Sequence, residues 1–304
     1  MTSHPLNDLE PRERVPNTVR TIAAWIQQAE RRAGVGARRL GWMVASSVVV
    51  AALQRARYSD GEPRFLIKGG AYLELRLGLR ARATKDLDTL FRGSFDDFLD
   101  VLDEALQEPF DGITFQRTEP QEIQVTSRVV KPRRFDIKLQ LRGKTWRRIT
   151  VEVSPDEGSA GAQVDHFPTP SLAHFGLSTP PTTAGLVIDY QVAQKLHACT
   201  DPHTPGRPND RVRDIVDLHI LKRAFYQNDP VPASLGRACR DLFGARAKEA
   251  KQAGLEARDW PPEVIAYPHW RADYLTYANE VGLELLFDDA VSQLDDWMMQ
   301  IDRV

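Results

Sequence analysis

The sequence predicts an α/β protein with two lobes: an N-terminal lobe built on a mixed sheet and a C-terminal lobe that is mostly helical. Short strand-like runs alternate with helical periodicity through the first half of the chain, whereas nearly all of the pattern after residue 185 is helical. Between them lies Ser154–Gly185, rich in Gly, Pro, Ser and Thr, which is typical of a long connection. We therefore divide the chain into lobes 1–180 and 181–304.

The first elements are an arm and two helices. Residues 1–17 are polar and proline-marked, which predicts a flexible arm. Thr18–Ala33 has apolar residues at helical spacing and is followed by a glycine, so we expect an amphipathic helix. Leu40–Tyr58 is more continuously apolar and predicts a second, more buried helix.

Strands and helices then alternate as far as residue 117. Apolar alternation predicts the strands, and 3.6-residue periodicity behind a glycine or serine predicts the helices. In chain order we predict strand Phe65–Ile67, helix Ala71–Leu79, strand Leu87–Phe91, a helix from Ser94 to Leu106, and strand Ile113–Arg117.

A hairpin closes the N-terminal lobe. Two alternating runs, Arg134–Leu141 and Arg148–Val153, are joined through Arg142-Gly143-Lys144. The C-terminal lobe follows, with four predicted helices. They are Val187–Thr200, Asp210–Phe225, Ala233–Ala253, and one from Ala272 to the C-terminus.

Composition sets broad limits on function. The 304 residues are 42% apolar and 27% charged, which is typical of a globular protein, and the net charge is -2. Nucleic-acid binding would therefore need a local basic patch. The two cysteines, Cys199 and Cys239, are too far apart for a zinc knuckle and fit a reducing compartment. With no apparent secretion signal or membrane span, we expect a cytoplasmic protein.

The most informative segment joins a glycine pair to two aspartates. Gly69 and Gly70 follow a predicted strand and precede a predicted helix, where backbone can approach a phosphate near a helix N-terminus. Asp86 and Asp88 are two apart on the next strand, so their side chains share a face. Carboxylate oxygens of this kind bind Mg²⁺ together with substrate phosphates. Either motif alone is usually a turn or a solvated strand end, but together they predict a nucleotide and metal site.

A third carboxylate is expected on the hairpin. Asp136 and Glu152 each lie between apolar neighbours on a predicted strand, and either side chain could face Asp86 and Asp88. Lys138 shares a face with Asp136 and could simply pair with it. The residues alone leave both acids open.

Charged residues on two C-terminal helices have both a plain and a functional explanation. Lys195 and His197 lie in an otherwise apolar helix, where a lysine usually extends to solvent and a histidine is usually structural. Arg211, Asp214 and Asp217 are three apart and share one helix face, as a surface ion-pair ladder also would.

The hairpin region is strongly basic. Nine basic residues fall within 21 positions that contain a single acid, Asp136. Such a density predicts a track for a phosphate backbone, with Trp146 available to stack on a base; a solvated hairpin tip or a docking surface for an acidic protein partner would look the same. The nine are Arg128, Lys131, Arg133, Arg134, Lys138, Arg142, Lys144, Arg147 and Arg148.

Taken together, these motifs resemble the polymerase-β-like nucleotidyltransferases, which carry a glycine turn, a short helix and then an Asp-x-Asp strand. The closer resemblance is to the AbiEii/AbiGii branch, the MenT-like toxins of toxin–antitoxin systems. The resembling segments are Lys68–Gly70, Arg82–Asp88, Lys131–Phe135, Val151–Ser154, Gln194–Ala198 and Asn209–Leu218. The fold implied is a nucleotidyltransferase lobe followed by a helical lobe.

The resemblance also implies roles. Asp86 and Asp88 would be catalytic metal ligands, and Lys195 and Asp214 the other catalytic residues; the Val151–Ser154 match favours Glu152 as the third metal ligand. Thr84 would occupy a position that is phosphorylated in some relatives. Nucleotide contacts are expected from Lys68, Gly69, Gly70, Thr84, Lys85 and Arg211, and RNA contacts from Arg133, Arg134, Lys138, Lys144, Arg147 and Arg148.

The expected activity follows from these roles. A Mg²⁺-dependent enzyme, with Mn²⁺ as a possible substitute, would transfer a nucleoside monophosphate from an NTP to the 3′ end of tRNA and so block aminoacylation. CTP is favoured only because relatives use it, and a cognate antitoxin is expected as a partner. The same chemistry on a protein hydroxyl, or an inactive nucleotide- or RNA-binding module, remains the alternative.

Overall fold

The computed structural model describes residues 4–125, 129–202, 208–227 and 230–304. It shows an α/β protein built on one mixed sheet of eight strands, as the sequence predicts. The strands are β1 (Phe65–Ile67), β2 (Asp86–Phe91), β3 (Ile113–Arg117), β4 (Gln121–Glu122), β5 (Arg133–Leu141), β6 (Lys144–Pro155), β7 (Val164–Pro168) and β8 (Thr182–Leu186).

Strand order brings distant parts of the chain together. The strand order in the sheet is β3-β5-β6-β2-β1-β8-β7, and β4 pairs with the first two residues of β5. β2 pairs in parallel with β6 and antiparallel with β1, while β1 pairs in parallel with β8. The centre of the sheet therefore combines the predicted Asp-x-Asp strand, the hairpin and the strand before the glycine pair.

The described residues contain nine helices, four before the β5–β6 hairpin and five after the last strand. They are α1 (Val19–Ala33), α2 (Ala37–Leu53), α3 (Gly69–Leu77), α4 (Phe98–Gln107), α5 (Ile188–Cys199), α6 (Val212–Phe225), α7 (Ala233–Gln252), α8 (Trp270–Glu280) and α9 (Phe287–Asp302). One continuous apolar core includes residues of the sheet, of α2 and of α5 to α9.

The two faces of the central strands differ in polarity. Along β5 and β6 the buried side chains alternate with polar ones, and the buried set, including Phe135, Ile137 and Val151, joins the core beside α2. The opposite face carries the charged side chains of β2, β5 and β6. The period-2 pattern of the sequence thus fixes which residues can face a ligand.

Several predicted elements are confirmed. β1 and β3 have the predicted bounds, and Thr18 caps α1 by accepting a hydrogen bond from the Thr21 N–H at 3.1 Å. The hairpin turns at Arg142 and Gly143, both with positive φ (48° and 74°), which matches the two-residue turns favoured by twisted strands.

Other expectations need correction. The predicted connection Ser154–Gly185 is wrong as a description, because it contains β7 and most of β8, and β8 pairs with β1 inside the sheet. The second helix ends at Leu53, and a single C-terminal helix is replaced by α8 and α9, which are separated at Gly282 (φ 63°). The division into lobes at residue 180 stays a prediction.

The described part of the N-terminal arm packs against the body of the protein. Leu6 is fully buried, Leu9 is nearly so, and the Arg12 N–H donates to the Ala173 carbonyl at 2.9 Å. Within the described residues, no single helix is long and apolar enough to cross a bilayer; α1 and α2 would meet those criteria only as a pair, and they are bent by 117°.

Candidate active site

Three carboxylates share the open face of the sheet. In the parallel pairing of β2 with β6, Asp88 lies opposite Glu152, and Asp86 lies opposite Thr150. Since residues two apart on a strand point to the same side, Asp86, Asp88 and Glu152 form one acidic cluster. We call these three side chains the acidic cluster.

The glycine pair is needed to make room for the second motif. A Cβ on Gly69 would lie 2.5 Å from Asp88 Oδ2, and the Gly69 φ of 62° also favours glycine. A Cβ on Gly70 would lie 2.9 Å from Thr84 Oγ1. The two motifs recognised in the sequence are therefore in direct contact, although α3 already begins at Gly69 and not at the predicted Ala71.

The acidic cluster is electrostatically strained. Burial, then the negative charge of Glu152, raise the pKa of Asp88 from 3.8 to about 6, against the opposing effect of Lys68 and Lys195. Burial and Glu152 also raise the pKa of Asp86. A bound cation would relieve this repulsion, and the Asp88 carboxylate is the group it would stabilise most.

Glu152, and not Asp136, is the acid that acts on the pair. Asp136 instead accepts a hydrogen bond from Thr150 Oγ1 at 2.8 Å and forms an ion pair with Arg148 at 3.2 Å. Glu152 is held by Arg134, whose Nε donates to Glu152 Oε1 at 2.8 Å and whose terminal nitrogen donates to the same oxygen. Glu152 is thus the acid opposite Asp88 and is bound to an arginine; its role as the third metal ligand stays a prediction.

The residues fit a divalent cation with one qualification. Among the described residues, no group of three or more Asp, Glu, His and Cys side chains is arranged as a ready metal site. Asp86 and Asp88 nevertheless provide hard oxygen donors of the type Mg²⁺ prefers, and burial, followed by the charge of Glu152, raises the pKa of both. Arg134 occupies one oxygen of Glu152, Oε1.

Lys195 lies in a buried charge network. Its Nζ donates to Asp214 Oδ1 at 2.9 Å and to Asp217 Oδ2 at 2.7 Å, while Arg82 donates to both oxygens of Asp217 at 3.0 and 3.1 Å. Burial alone lowers the pKa of Lys195, but the two carboxylates outweigh it and raise the pKa. Lys195 is therefore held charged beside the acidic cluster and is not a lysine that simply extends to solvent.

Asp214 has the complementary environment. Burial raises its pKa, but the charges of Lys195 and Arg211 outweigh burial and leave the pKa below its ordinary value. Arg211 lies just before α6 and is fixed by its N–H, which donates to Asn209 Oδ1 at 2.8 Å. Asp214 and Asp217 thus belong to a buried network with Lys195 and not to a surface ladder, whereas Arg211 is exposed.

Gln191 contributes to the site and gave no signal in the sequence. Its Oε1 accepts from the Gly69 N–H at 3.0 Å, and its Nε2 donates to the Leu186 carbonyl at 2.9 Å. Gln191 therefore links α5 to the glycine pair and occupies one of the N–H groups expected to face a phosphate. A ligand that took this N–H would have to displace the glutamine.

A second set of residues missed in the sequence supports the loop before β2. The buried Glu74 carboxylate accepts from Arg39 Nε at 2.5 Å and from the Thr84 N–H at 3.2 Å. Arg39 also donates to the Ala81 carbonyl at 2.5 Å, and the Ala83 N–H donates to Glu280 Oε1 at 2.6 Å. Helices from both ends of the chain thus fix the loop that carries Thr84.

The remaining predicted nucleotide residues lie around these groups. Lys68 is half-buried and its N–H donates to the Asp88 carbonyl at 2.9 Å, whereas Lys85 is exposed. Thr84 is half-buried, and its hydroxyl donates to the Asp86 carbonyl at 3.3 Å. His197 contacts the Phe243 ring at 4.8 Å and Arg258, as expected of a structural histidine.

A cleft of about 1420 Å³ lies between the glycine pair and the C-terminal helices; Asp88 and Glu152 line it, whereas Asp86 and Thr84 do not. Its walls include the glycine pair, Asp88 and Glu152 on one side, and α5, α6, α7 and the segment after α7 on the other. This volume exceeds the roughly 300–1,000 Å³ of a usual small-ligand site. The cleft can therefore hold more than one nucleotide.

The basic hairpin presents only part of its charge to this face. Arg134, Lys138 and Arg148 share the face of the acidic cluster. Arg147 lies on the opposite face against α2, where a Cβ on Gly41 would lie 2.3 Å from it. Arg133 pairs with Glu122 at 2.6 Å on that opposite side, Lys144 is exposed at the turn, and Arg128 lies outside the described residues.

Comparison with known proteins identifies the family of this chain. A family model described as the nucleotidyl transferase AbiEii toxin of a type IV TA system matches residues 51–293, most of the chain and all of the site. The chain belongs to the AbiEii nucleotidyltransferase toxin family. The expected family and fold class are thereby confirmed.

Solved structures show related folds at low sequence identity. MenT4, a nucleotidyltransferase toxin from Mycobacterium tuberculosis H37Rv, is 15% identical, with 94% of this chain and 98% of that one covered and a TM-score of 0.51. An antigenic nucleotidyltransferase-like protein from Paracoccidioides brasiliensis is also 15% identical, covers 71% of this chain and 94% of that one, and has a TM-score of 0.38. No curated protein matches the chain.

Proposed function

We propose that this AbiEii-family protein is a Mg²⁺-dependent enzyme that transfers a nucleoside monophosphate from an NTP to the 3′ end of tRNA. Blocking that end would prevent aminoacylation and stop translation. CTP is the favoured donor by analogy with relatives, and Mn²⁺ would substitute for Mg²⁺. The protein would act in the cytoplasm under the restraint of a cognate antitoxin.

The observation that carries the proposal is the acidic cluster lying against the glycine pair, with a charged lysine beside it. Asp86 and Asp88, joined by Glu152, would hold the cation. When bound, Mg²⁺ supplies charge neutralisation for the triphosphate and lowers the pKa of an attacking hydroxyl. The raised pKa values of the two aspartates are consistent with a cation-binding site.

The chain's own residues have separate tasks in the transfer. The acceptor hydroxyl oxygen forms a bond to the α-phosphorus, the bond from that phosphorus to the bridging oxygen of the β-phosphate breaks, and pyrophosphate leaves. The hydroxyl proton passes to a carboxylate of the acidic cluster. Lys195, kept charged by Asp214 and Asp217, stabilises the negative charge of the leaving pyrophosphate.

Two features support an RNA acceptor. The cleft of about 1420 Å³ has room for an acceptor nucleotide besides the NTP. Arg134, Lys138 and Arg148 continue the same face outward along β5 and β6, where they can contact a phosphate backbone. Because the contacts are to backbone and not to base edges, recognition of tRNA by shape is favoured.

A labelling experiment tests the proposal. Purified protein is incubated with unfractionated tRNA, Mg²⁺ and each α-labelled NTP in turn, with the Asp86→Asn and Asp88→Asn variants as matched controls. Label in RNA that both variants fail to produce supports the proposal. Label in protein would favour modification of a protein hydroxyl, and no label with any NTP would favour an inactive binding module.

A further inference from the structure

Arg134 forms an ion pair with Glu152, the third carboxylate of the acidic cluster. Its two donating nitrogens both bind the same oxygen, Glu152 Oε1, so this pair is not the two-oxygen fork that arginine prefers with carboxylate or phosphate. The arginine side chain is 55% exposed and the glutamate side chain 25%. An ion pair this exposed contributes little and is easily exchanged.

The position of Arg134 links two sites. It lies opposite Glu152 in the β5–β6 register, directly beside the acidic cluster. Its charge acts on Asp86 as well as on Glu152. It also belongs to the row of basic side chains, with Lys138 and Arg148, that faces outward along the hairpin. One guanidinium can therefore serve either Glu152 or an incoming phosphate.

Resting on the proposed function, we propose that Arg134 is a latch which holds Glu152 away from the metal until a phosphate of the acceptor strand draws the arginine off. A phosphate can accept from the guanidinium through two oxygens, whereas Glu152 accepts through Oε1 alone. Acceptor binding would then complete the metal site. Arg134 is in this sense a positioning residue, since it acts through Glu152.

The latch has a consequence that simple charge repulsion does not share. While Arg134 is present and no acceptor is bound, Glu152 contributes little to cation binding. Once Arg134 is removed, Glu152 becomes a ligand. Glu152→Gln should therefore change cation affinity little in the unmodified protein but weaken it in the Arg134→Ala variant. If Glu152 were already a ligand and Arg134 only repelled the cation, Glu152→Gln would weaken binding in both proteins.

The chain offers a close control in Arg148. This arginine lies on the same face of the hairpin, is 57% exposed, and pairs with Asp136, which is 26% exposed. It has nearly the same surroundings as Arg134, but its partner is not part of the acidic cluster. Removing it tests the effect of one lost positive charge alone.

The experiment is a Mn²⁺ titration of RNA-free protein, followed by electron paramagnetic resonance of free Mn²⁺. We expect Arg134→Ala to tighten binding by up to about fivefold, the most that an ion pair this exposed can oppose. Glu152→Gln alone should change affinity by less than about twofold, and the double variant should lose the gain. Arg148→Ala should behave like the unmodified protein.

Other outcomes would overturn the latch. Additive effects of the two substitutions on Mn²⁺ affinity, or an equal gain in affinity from Arg148→Ala, would show that Arg134 acts only as a nearby charge. Mn²⁺ binding that does not depend on Asp88 in any variant would overturn the proposed metal site and the latch together. Binding that depends on Asp88 while the cycle stays additive would overturn the latch alone.

The trigger is tested separately through linkage. Because coupling between two ligands is reciprocal, Mn²⁺ should strengthen the binding of unfractionated tRNA more in the unmodified protein than in Arg134→Ala. The affinity ratio with and without Mn²⁺ is compared between variants, so that Mn²⁺ binding by tRNA itself cancels. An equal ratio in the two proteins would contradict release of the latch by phosphate.

Discussion

Replacing Asp88 by asparagine should stabilise the metal-free protein near neutral pH. The substitution keeps the size of the side chain and removes a charge that burial and Glu152 disfavour. Since the pKa of Asp88 is raised, the folded protein prefers the protonated carboxyl. The resulting stabilisation is complete below the unfolded pKa of 3.8 and is lost as pH rises through about 6.

The size of the effect follows from that pKa. A rise from 3.8 to about 6 is roughly two units, and at about 1.4 kcal/mol per unit the upper limit is about 3 kcal/mol. Asp88 is partly open to the cleft, so screening reduces the expected gain to about 1–2 kcal/mol. With about 2.1 cal/mol/K of unfolding entropy per residue over 304 residues, Tm rises by about 2–3 °C.

The assay is thermal unfolding of metal-free protein across about pH 5 to 8, in the range where the charge on Asp88 changes. The advantage of the Asp88→Asn variant should be full at pH 8 and should shrink as pH falls through 6. Asp136→Asn is the control, because Asp136 has favourable partners in Thr150 and Arg148 and gains nothing from losing its charge. Added Mg²⁺ should stabilise the unmodified protein more than the Asp88 variant.

The reasoning would be refuted if Asp88→Asn were no more stable than the unmodified protein at pH 8. It would also be refuted by a gain that does not depend on pH, since that gain could not arise from ionisation of the carboxyl. An equal gain from Asp136→Asn would show a general effect of acid removal on this face. None of these results depends on catalytic activity.

Two further substitutions test the supporting structure. Lys195→Ala leaves the buried Asp214 and Asp217 without this cation and should cost about 3–5 kcal/mol in urea unfolding; a cost below about 1 kcal/mol would contradict the network. Gly69→Ala, at φ 62° and with a Cβ 2.5 Å from a carboxylate oxygen, should cost about 1–3 kcal/mol and weaken Mn²⁺ binding. Gly36→Ala, at the N-cap of α2 with nothing within 4 Å, is its control; it should leave Mn²⁺ binding unchanged and cost less than about 1 kcal/mol.

The fold was predictable where local patterns matched it. The alternation of β5 and β6 defined a buried and an open face, and placed Asp136 and Glu152 on the open one. Strand β8 was missed because its sequence, Thr182–Leu186, includes a glycine in a stretch rich in turn residues. Gly185 is required there because a Cβ would lie 2.6 Å from the Tyr72 ring. Such close packing between distant residues leaves no local signal.

The residues of the candidate site were likewise predictable only in part. Asp86, Asp88 and the glycine pair stood out because they are close in sequence, and the structure places Asp88 against Gly69. Gln191 and Glu74 did not stand out, because each acts through a hydrogen bond to a segment whose position depends on the complete fold. The residues alone left Glu152 and Asp136 open and only the family resemblance favoured Glu152; the pairing of β2 with β6 places Glu152 directly opposite Asp88.

The most direct test of the account is the rate of label transfer from α-labelled CTP to tRNA, measured at fixed Mg²⁺ for three variants. We predict that Asp88→Asn and Glu152→Gln each lose at least about 10²-fold in rate, as expected when charge stabilisation at a reacting phosphate is removed. Asp136→Asn should stay within a few-fold of the unmodified protein. Full transfer by Asp88→Asn, or loss in Asp136→Asn with retention in Glu152→Gln, would contradict the acidic cluster as the catalytic centre.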